Sequence, residues 1–115
     1  WNEWNCKGEI EWFLTQFPNH DSLKRCVKDL NHLYLSHPAL WDDTSESFEW
    51  VDFSDTGNSV VSYLRKGKGE ILLCVHNFSP NCYEKYKIPL KGAKIVREIL
   101  NTDALAYSGT GKLNG

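Results

Sequence analysis

The sequence lacks methionine, any long hydrophobic run and any basic cluster among its 115 residues. Since no apolar stretch approaches the roughly 20 residues of a membrane span, no membrane segment is predicted, and no signal peptide is recognisable. The formal net charge of -2 gives no reason to expect a nucleic-acid partner. The missing methionine and the abrupt start at Trp1 suggest a piece of a longer protein.

Cysteine pairs at metal-binding spacing are also missing. Cys6, Cys26, Cys74 and Cys82 form no Cys-x-x-Cys motif, and no histidine lies at zinc-finger spacing. We therefore predict four free thiols, with Cys26 and Cys74 as small core residues. Free thiols are typical of a reducing cytosol, which favours a cytoplasmic location. No metal and no cofactor is expected.

No part of the chain carries a complete catalytic motif. Residues 109–112 read Gly-Thr-Gly-Lys like the end of a phosphate loop, but Leu113 stands where Ser or Thr would bind magnesium. The histidines are His20, His32, His37 and His76. Neither their spacing nor that of the carboxylates indicates a metal site or an acid–base pair. No catalytic residue is predicted in this chain.

One helix is predicted over residues 19–36. Its apolar residues recur at spacings of three and four, which produces a single stripe along one side. The stripe consists of Leu23, Cys26, Val27, Leu30, Leu33 and Tyr34. Pro38 disfavours helical geometry at the residue before it, so the helix should end near Ser36. Residues 9–17 are apolar but too short to assign between an extended and a helical form.

The second half of the chain is predicted to be β-structure. Five strands are expected, at residues 48–53, 59–66, 70–78, 83–90 and 94–100. The run Ile71–Val75 is unbroken and apolar, which is typical of a strand buried on both faces, so this strand is placed at the centre. Residues 94–100 would also suit a helix. Short strands at regular spacing favour an antiparallel sandwich, with a domain boundary near Asp43.

Several runs of residues resemble the C-terminal part of bacterial 1,4-α-glucan (glycogen) branching enzymes, members of the α-amylase superfamily. The matching runs are residues 1–5, 18–20, 27–34, 37–41, 48–52, 58–60, 77–80 and 97–103. Together they cover the chain nearly end to end. The resemblance implies a mainly β fold: an antiparallel β-sandwich of the α-amylase C-terminal all-β type, preceded by one helix from the end of a (β/α)8 barrel.

On this resemblance, residues 1–42 are the last loop and helix of the catalytic barrel. Residues 43–115 are the C-terminal all-β domain without its final strands. The family transfers α-1,4-glucan segments to 6-hydroxyls and so forms α-1,6 branches. Its two catalytic Asp and one Glu belong to barrel motifs upstream of Trp1, so this fragment is expected to be structural and non-catalytic. Its implied partners are an α-glucan, such as glycogen or amylose, and the missing barrel.

Two tryptophans are candidate glucan-binding residues. Trp1 and Trp4 match the loop after the last barrel strand, and such loops build the active face of a (β/α)8 barrel. An indole there either stacks on a glucan ring or packs the loop in place. For the chain as a whole, the alternative function is an independent glucan-binding β-sandwich module.

Overall fold

A computed structural model of the chain describes residues 5–93 and 95–114. One α-helix, α1 (Pro18–Ser36), precedes three strands, β1 (Phe48–Asp52), β2 (Val60–Gly67) and β3 (Glu70–Asn77). Short 3₁₀ helices lie at Trp12–Gln16, Pro38–Leu40 and Leu105–Tyr107. The chain forms two compact units: the part up to Asn31 together with that from Arg97 onward, and His32–Val96. The predicted domain boundary near Asp43 stays a prediction.

The helix predicted at residues 19–36 is confirmed as α1, which ends at Ser36 as expected. Asp21 lies in the first turn, where a carboxylate interacts favourably with the helix dipole. Much of the apolar stripe is open to solvent: Leu23 is 63% exposed and Leu30 is 42% exposed. Cys26 is the buried member of the stripe, and Ser22 beside it is also buried. Most of the apolar stripe of α1 is therefore uncovered.

The three strands form one antiparallel sheet in the order β1-β2-β3. The prediction that residues 70–78 form the central strand is wrong, because β2 lies between β1 and β3. Val60 and Ser62 of β2 are buried, whereas Ile71 of β3 is 64% exposed. The apolar run correctly indicated a strand. Its place in the sheet is set by the two hairpin-like connections, which local sequence does not reveal.

The predicted strand at residues 83–90 is absent from the structure. Lys85 has a φ of 57°, a left-handed conformation that interrupts an extended strand. Two tyrosines hold this segment instead: Tyr83 donates to the Asn58 carbonyl at 3.1 Å, and Tyr86 donates to the Asp55 carboxylate at 2.5 Å. The two tyrosines therefore anchor this segment to the β1–β2 turn without strand pairing.

The last predicted strand, at residues 94–100, is also not a strand where the structure describes it, at residues 95–100. Lys94 lies outside the described residues. The Glu98 carboxylate accepts hydrogen bonds from the side chains of Asn101 and Asn114. These contacts fold the segment into a loop, so neither the strand nor the alternative helix forms.

A small core lies where the 3₁₀ helix Pro38–Leu40 packs on β2 and β3. Ala39 is fully buried, and its amide donates to Glu70 Oε1 at 3.0 Å. Glu70 Oε2 lies 2.8 Å from His37 Nδ1. The hydrogen bond from the Ala39 amide, and to a lesser extent the one with His37, lowers the pKa of Glu70. Arg65 donates from Nε to the Ala39 carbonyl, so backbone groups at this corner are paired.

All four cysteines are free, as predicted. Cys26 is buried, but Cys74 is only half-buried, because β3 lies at the sheet edge. Burial raises the pKa of the Cys74 thiol. Within the described residues, no helix combines the length and apolarity needed to cross a membrane.

Candidate functional site

One face of the sheet carries a group of aromatic rings. The aromatic surface consists of Phe48, Trp50, Phe53, Tyr63, His76 and Phe78. Strand alternation and register explain why these residues meet. Trp50 pairs with Tyr63, and Tyr63 pairs with Cys74, so side chains two residues before or after these positions project from the same face.

Tyr63 lies at the centre of the aromatic surface. Its ring centroid is 5.1 Å from that of Phe48 and 5.9 Å from that of Trp50. On the other side, the His76 ring stacks on it at 5.4 Å and 22°, and His76 Nε2 lies 3.0 Å from the Tyr63 hydroxyl. Phe78 continues the stack beyond His76 at 5.9 Å and 11°. Aromatic pairs at these distances stabilise one another and fix the ring orientations.

The rings remain open to solvent despite these contacts. Trp50 is 50% exposed, and Phe78 is 73% exposed. A continuous exposed apolar patch in a folded protein commonly marks a binding site or an interface. The Trp50 ring stands nearly perpendicular to those of Phe48 and Tyr63, so the surface offers both ring faces and ring edges to a ligand with apolar C–H faces and polar edges.

A charged pair on the opposite face of the sheet, and two polar groups of the aromatic face, are engaged in structure. Lys66 pairs with Glu49, and its hydrogen bond and positive charge lower the pKa of Glu49. Burial raises the pKa of Tyr63, and the neighbouring Cys74 raises it further. The hydroxyl and the thiol therefore stay neutral over the physiological range. This arrangement supports binding by stacking and hydrogen bonding rather than proton transfer.

A second candidate site lies in the other compact unit. An open groove of about 1050 Å³ is bordered by the N-terminal segment and the first half of α1. Its apolar lining includes Ile10, Trp12, Leu23 and Val27. The groove therefore continues the uncovered apolar stripe of the helix.

The predicted glucan-binding residues Trp1 and Trp4 lie outside the described residues. The histidines do not converge, since His37 contacts Glu70 and His76 contacts Tyr63. Within residues 5–93 and 95–114, no group of three or more His, Cys, Asp or Glu side chains is placed to hold a metal ion. The Gly-Thr-Gly-Lys run folds onto the Asp103 carboxylate, which accepts from the backbone amides of Thr110 and Lys112.

Sequence reasoning missed the aromatic surface. A local signal was present in Phe48-Glu49-Trp50, where two aromatic residues alternate with a charged one. That alternation is typical of a strand whose one face is aromatic. Tyr63 and His76 join the group only through strand register, which the sequence does not show directly.

Comparison with known proteins identifies the family. Residues 50–115, more than half of the chain, match the model of the alpha amylase C-terminal all-beta domain. A 1,4-alpha-glucan branching enzyme of Protochlamydia amoebophila is 53% identical over 99% of this chain. Enzymes of the same name are 44% identical in Synechococcus elongatus, over the whole chain, and 39% identical in Chlamydia caviae, over 99% of it.

The chain spans only 16% of the length of the first two relatives and 17% of the third. The match confirms the resemblance to the C-terminal part of branching enzymes and the predicted all-β class. Within the described residues, the β-structure is a single three-stranded sheet. The chain belongs to the family of the alpha-amylase C-terminal all-beta domain.

Proposed function

We propose that this chain is the C-terminal part of a 1,4-α-glucan branching enzyme, in which it has a structural, non-catalytic role. The observation that carries the proposal is the end-to-end match to a protein of that name, at 53% identity over 116 residues. On this proposal, the parent enzyme transfers α-1,4-glucan segments to 6-hydroxyls. Its partners are an α-glucan and the catalytic barrel.

Three carboxylates of this chain support a non-catalytic role. Cleavage of a glycosidic bond uses two carboxyl groups that face the bond, one of them available to protonate the leaving oxygen. Here Asp55 accepts from Tyr86 and Asn58, Glu70 accepts from the Ala39 amide, and Asp103 accepts from its own loop. Each of these carboxylates therefore holds local structure together.

An amylose–iodine assay tests this proposal. We expect the longer enzyme that contains this chain to lower the absorbance of the amylose–iodine complex, and the 115-residue chain to leave it unchanged. A fall caused by the isolated chain that survives a mock-purified control would contradict the non-catalytic role. A longer enzyme that leaves amylose unbranched would contradict the parent function.

The exposed stripe of α1 supports the proposed barrel origin of residues 1–42. The last helix of a (β/α)8 barrel packs its apolar side against neighbouring elements, and Leu23 and Val27 expose that side here. We place the enzyme in the cytoplasm, a proposal that the four free thiols support.

A second candidate function is direct contact with glucan, and the aromatic surface favours it. Sugar rings present C–H faces that stack on indole and phenol rings, while their hydroxyls hydrogen-bond at the edges. Trp50 and Phe53 are exposed, and Tyr63 and His76 supply polar edge atoms next to ring faces. The surface therefore combines the two kinds of contact that a glucan chain needs.

Affinity electrophoresis separates this candidate from a purely structural role. The isolated chain is run in native gels with and without glycogen, next to an unrelated protein of similar size. Retardation that grows with glycogen concentration supports glucan contact. Equal mobility in both gels would leave only the structural role, and this outcome does not affect the proposed parent enzyme.

Trp1 and Trp4 remain proposed glucan contacts in the parent. If Trp4 stacks on the bound chain, Trp4→Ala in the full-length enzyme should lower branching activity and leave the melting temperature nearly unchanged. If the indole packs the loop instead, the same substitution should cost roughly 3–5 kcal/mol of stability. Normal activity, or a loss that follows unfolding, would rule out the contact.

A further inference from the structure

Residues 101–112, here called the strap, fold back along the first half of α1. The hydroxyls of Ser22 and Ser108 lie 2.7 Å apart. Arg25 donates from Nη1 to the Ala106 carbonyl at 3.1 Å. Since helix positions three and four residues apart share one face, the strap covers a continuous polar side of the helix.

Tyr107 adds a third contact between strap and helix. Its hydroxyl donates to the Asp29 carboxylate at 2.7 Å, and this bond raises the pKa of Tyr107. Cys26 lies between the contact positions and is 8% exposed. The strap therefore buries the only part of α1 that carries buried residues in the described chain.

The Asp103 carboxylate closes the strap on itself, together with backbone hydrogen bonds such as that from the Gly111 amide to the Asp103 carbonyl at 2.7 Å. Asp103 Oδ1 accepts from the Thr110 amide at 2.8 Å. Asp103 Oδ2 accepts from the Thr110 hydroxyl at 2.6 Å and from the Lys112 amide at 2.9 Å. Three donors on one carboxylate favour its ionised form. A neutral carboxylic acid or amide has fewer acceptor sites and cannot satisfy all three equally.

The closed strap also holds unfavourable backbone geometry. Ser108 has a φ of 61°, a left-handed conformation that is costly for a residue with a Cβ. Glycine at position 109 avoids a clash, since a Cβ there would lie 2.2 Å from the Asp103 carbonyl oxygen. The hydrogen bonds of the closed strap offset the cost at Ser108.

We propose that Asp103 is an acid-sensitive latch, which holds the strap on α1 while its carboxylate is ionised and releases it on protonation. Hydrogen bonds from the Thr110 hydroxyl, then the Thr110 and Lys112 amides, lower the pKa of Asp103. A lowered folded pKa means that this contribution to stability is complete above the ordinary pKa of an aspartate. The contribution is lost as pH falls through the folded value.

Other charged groups near the strap act on the same contacts. Arg25 bonds to Asp21 at 2.7 Å, and Asp29 accepts from Tyr107. Lys112 contributes its positive charge to the lowered pKa of Asp103. Glu98 accepts from Asn114 beyond the end of the strap. Since these carboxylates contact the same segments, the test isolates Asp103 by substitution at matched pH.

Hydrogen exchange of the 115-residue chain tests the latch. Amide exchange in peptides from the first half of α1 is compared between the wild type and Asp103→Asn at the same pH. At neutral pH we expect roughly tenfold faster exchange in the variant, since charge-assisted hydrogen bonds are lost. Below the folded pKa of Asp103 the difference should vanish, because the wild-type residue is then neutral as well.

Two further variants complete the design. Asp43→Asn removes an exposed carboxylate in the other compact unit and should leave exchange in α1 unchanged. Thr110→Val removes only the hydroxyl donor and should speed exchange less than Asp103→Asn does. If far-UV circular dichroism shows Asp103→Asn to be unfolded, Thr110→Val decides at neutral pH: faster exchange supports the latch, and unchanged exchange overturns it. If both variants fold, the proposal is overturned when wild type and Asp103→Asn show equal exchange in α1 at neutral pH. It is also overturned when their difference in exchange does not shrink in acid.

Discussion

The Tyr86 hydroxyl donates a hydrogen bond to the Asp55 carboxylate across 2.5 Å. Asn58 donates to the same carboxylate from its side chain. The hydrogen bond to Asp55, with burial and the negative charge of Asp55 as lesser causes, raises the pKa of Tyr86 to about 12. The same bond lowers the pKa of Asp55. This pair fixes residues 83–90 on the β1–β2 turn without any strand pairing.

Substitution of Asp55 should therefore lower the pKa of the Tyr86 hydroxyl. In Asp55→Asn the Tyr86 phenol loses its charged acceptor, so its ionisation should move from about 12 back towards the ordinary tyrosine value of about 10. Tyrosinate absorbance in the ultraviolet measures this shift. Tyr86→Phe should remove the same transition, while Asp43→Asn should leave it in place. An unchanged titration in Asp55→Asn would contradict the contact.

The two pKa shifts also predict how the stability contributed by the Tyr86–Asp55 hydrogen bond depends on pH. The raised pKa of Tyr86 means that its contribution is complete below the ordinary tyrosine pKa and is lost as pH rises through about 12. The lowered pKa of Asp55 means that the contribution is present above the ordinary aspartate value and is lost as pH falls through the folded value. Urea denaturation of wild type and Asp55→Asn should therefore differ at neutral pH and converge in strong acid.

Local patterns predicted the helix and the first three strands, but neither the arrangement of the sheet nor the loops at residues 83–90 and 95–100. The helix and the strands β1, β2 and β3 follow from apolar spacing, turn residues and the position of Pro38, all of which act over a few residues. The edge position of β3 and the positive φ at Lys85 depend on contacts between distant segments. The pattern at residues 83–90 could therefore be read as a strand although Tyr86 binds Asp55 there.

The same limit applies to the candidate site. The uncovered stripe on α1 could be predicted, because one helix supplies all of its residues. The aromatic surface could not, because Trp50, Tyr63 and His76 come from three strands and meet only through register. The predicted contacts Trp1 and Trp4 lie outside the described residues and stay predictions.

A methyl group at Gly67 should destabilise the fold. A Cβ there would lie 2.9 Å from the Ala39 Cα and 3.1 Å from the Ala39 nitrogen, and Ala39 is fully buried. Overpacking of this kind costs about 1–3 kcal/mol, so Gly67→Ala should unfold at a lower urea concentration.

Gly57→Ala provides the matched control for that change. A Cβ at Gly57 meets only the Asp55 carboxylate oxygen, at 4.0 Å, so its effect should stay within about 1 kcal/mol. Equal stabilities of the two variants would show that the chain near Ala39 moves away without cost.

The exposed stripe on α1 should drive association of the isolated chain. Leu23 and Leu30 remain largely open, and exposed apolar patches promote self-association and dye binding. Leu23→Glu/Leu30→Glu should reduce both, with little loss of helix, since glutamate and leucine have similar helix propensities. Sedimentation velocity and dye fluorescence measure the change.

Lys28→Glu is the charge-matched control, because it changes the net charge by the same amount from an exposed position off the stripe. It should leave association unchanged if the apolar side chains are responsible. If it reduces association as much as the double variant does, net charge rather than the stripe governs the effect.

Trp50 should contribute to glucan binding more than to stability. It is 50% exposed, and its ring contacts those of Phe48, Phe53 and Tyr63. If glucan stacks on the aromatic surface, Trp50→Ala should weaken retardation in a glycogen gel roughly two- to tenfold, since aromatic contacts contribute about 0.5–1.5 kcal/mol. Its stability loss should stay well below the roughly 3–5 kcal/mol that truncation of a buried tryptophan costs.

Trp41→Ala makes this test specific, because Trp41 is 43% exposed and lies outside the aromatic surface. Its ring contacts Lys68 Nζ at 5.2 Å from the centroid, and a cation–π contact at an exposed site contributes about 0.5–1 kcal/mol. The two variants should therefore lose modest stability, while only Trp50→Ala loses affinity for glycogen. Equal retardation of both variants and the wild type would assign the aromatic surface to packing against protein instead of glucan.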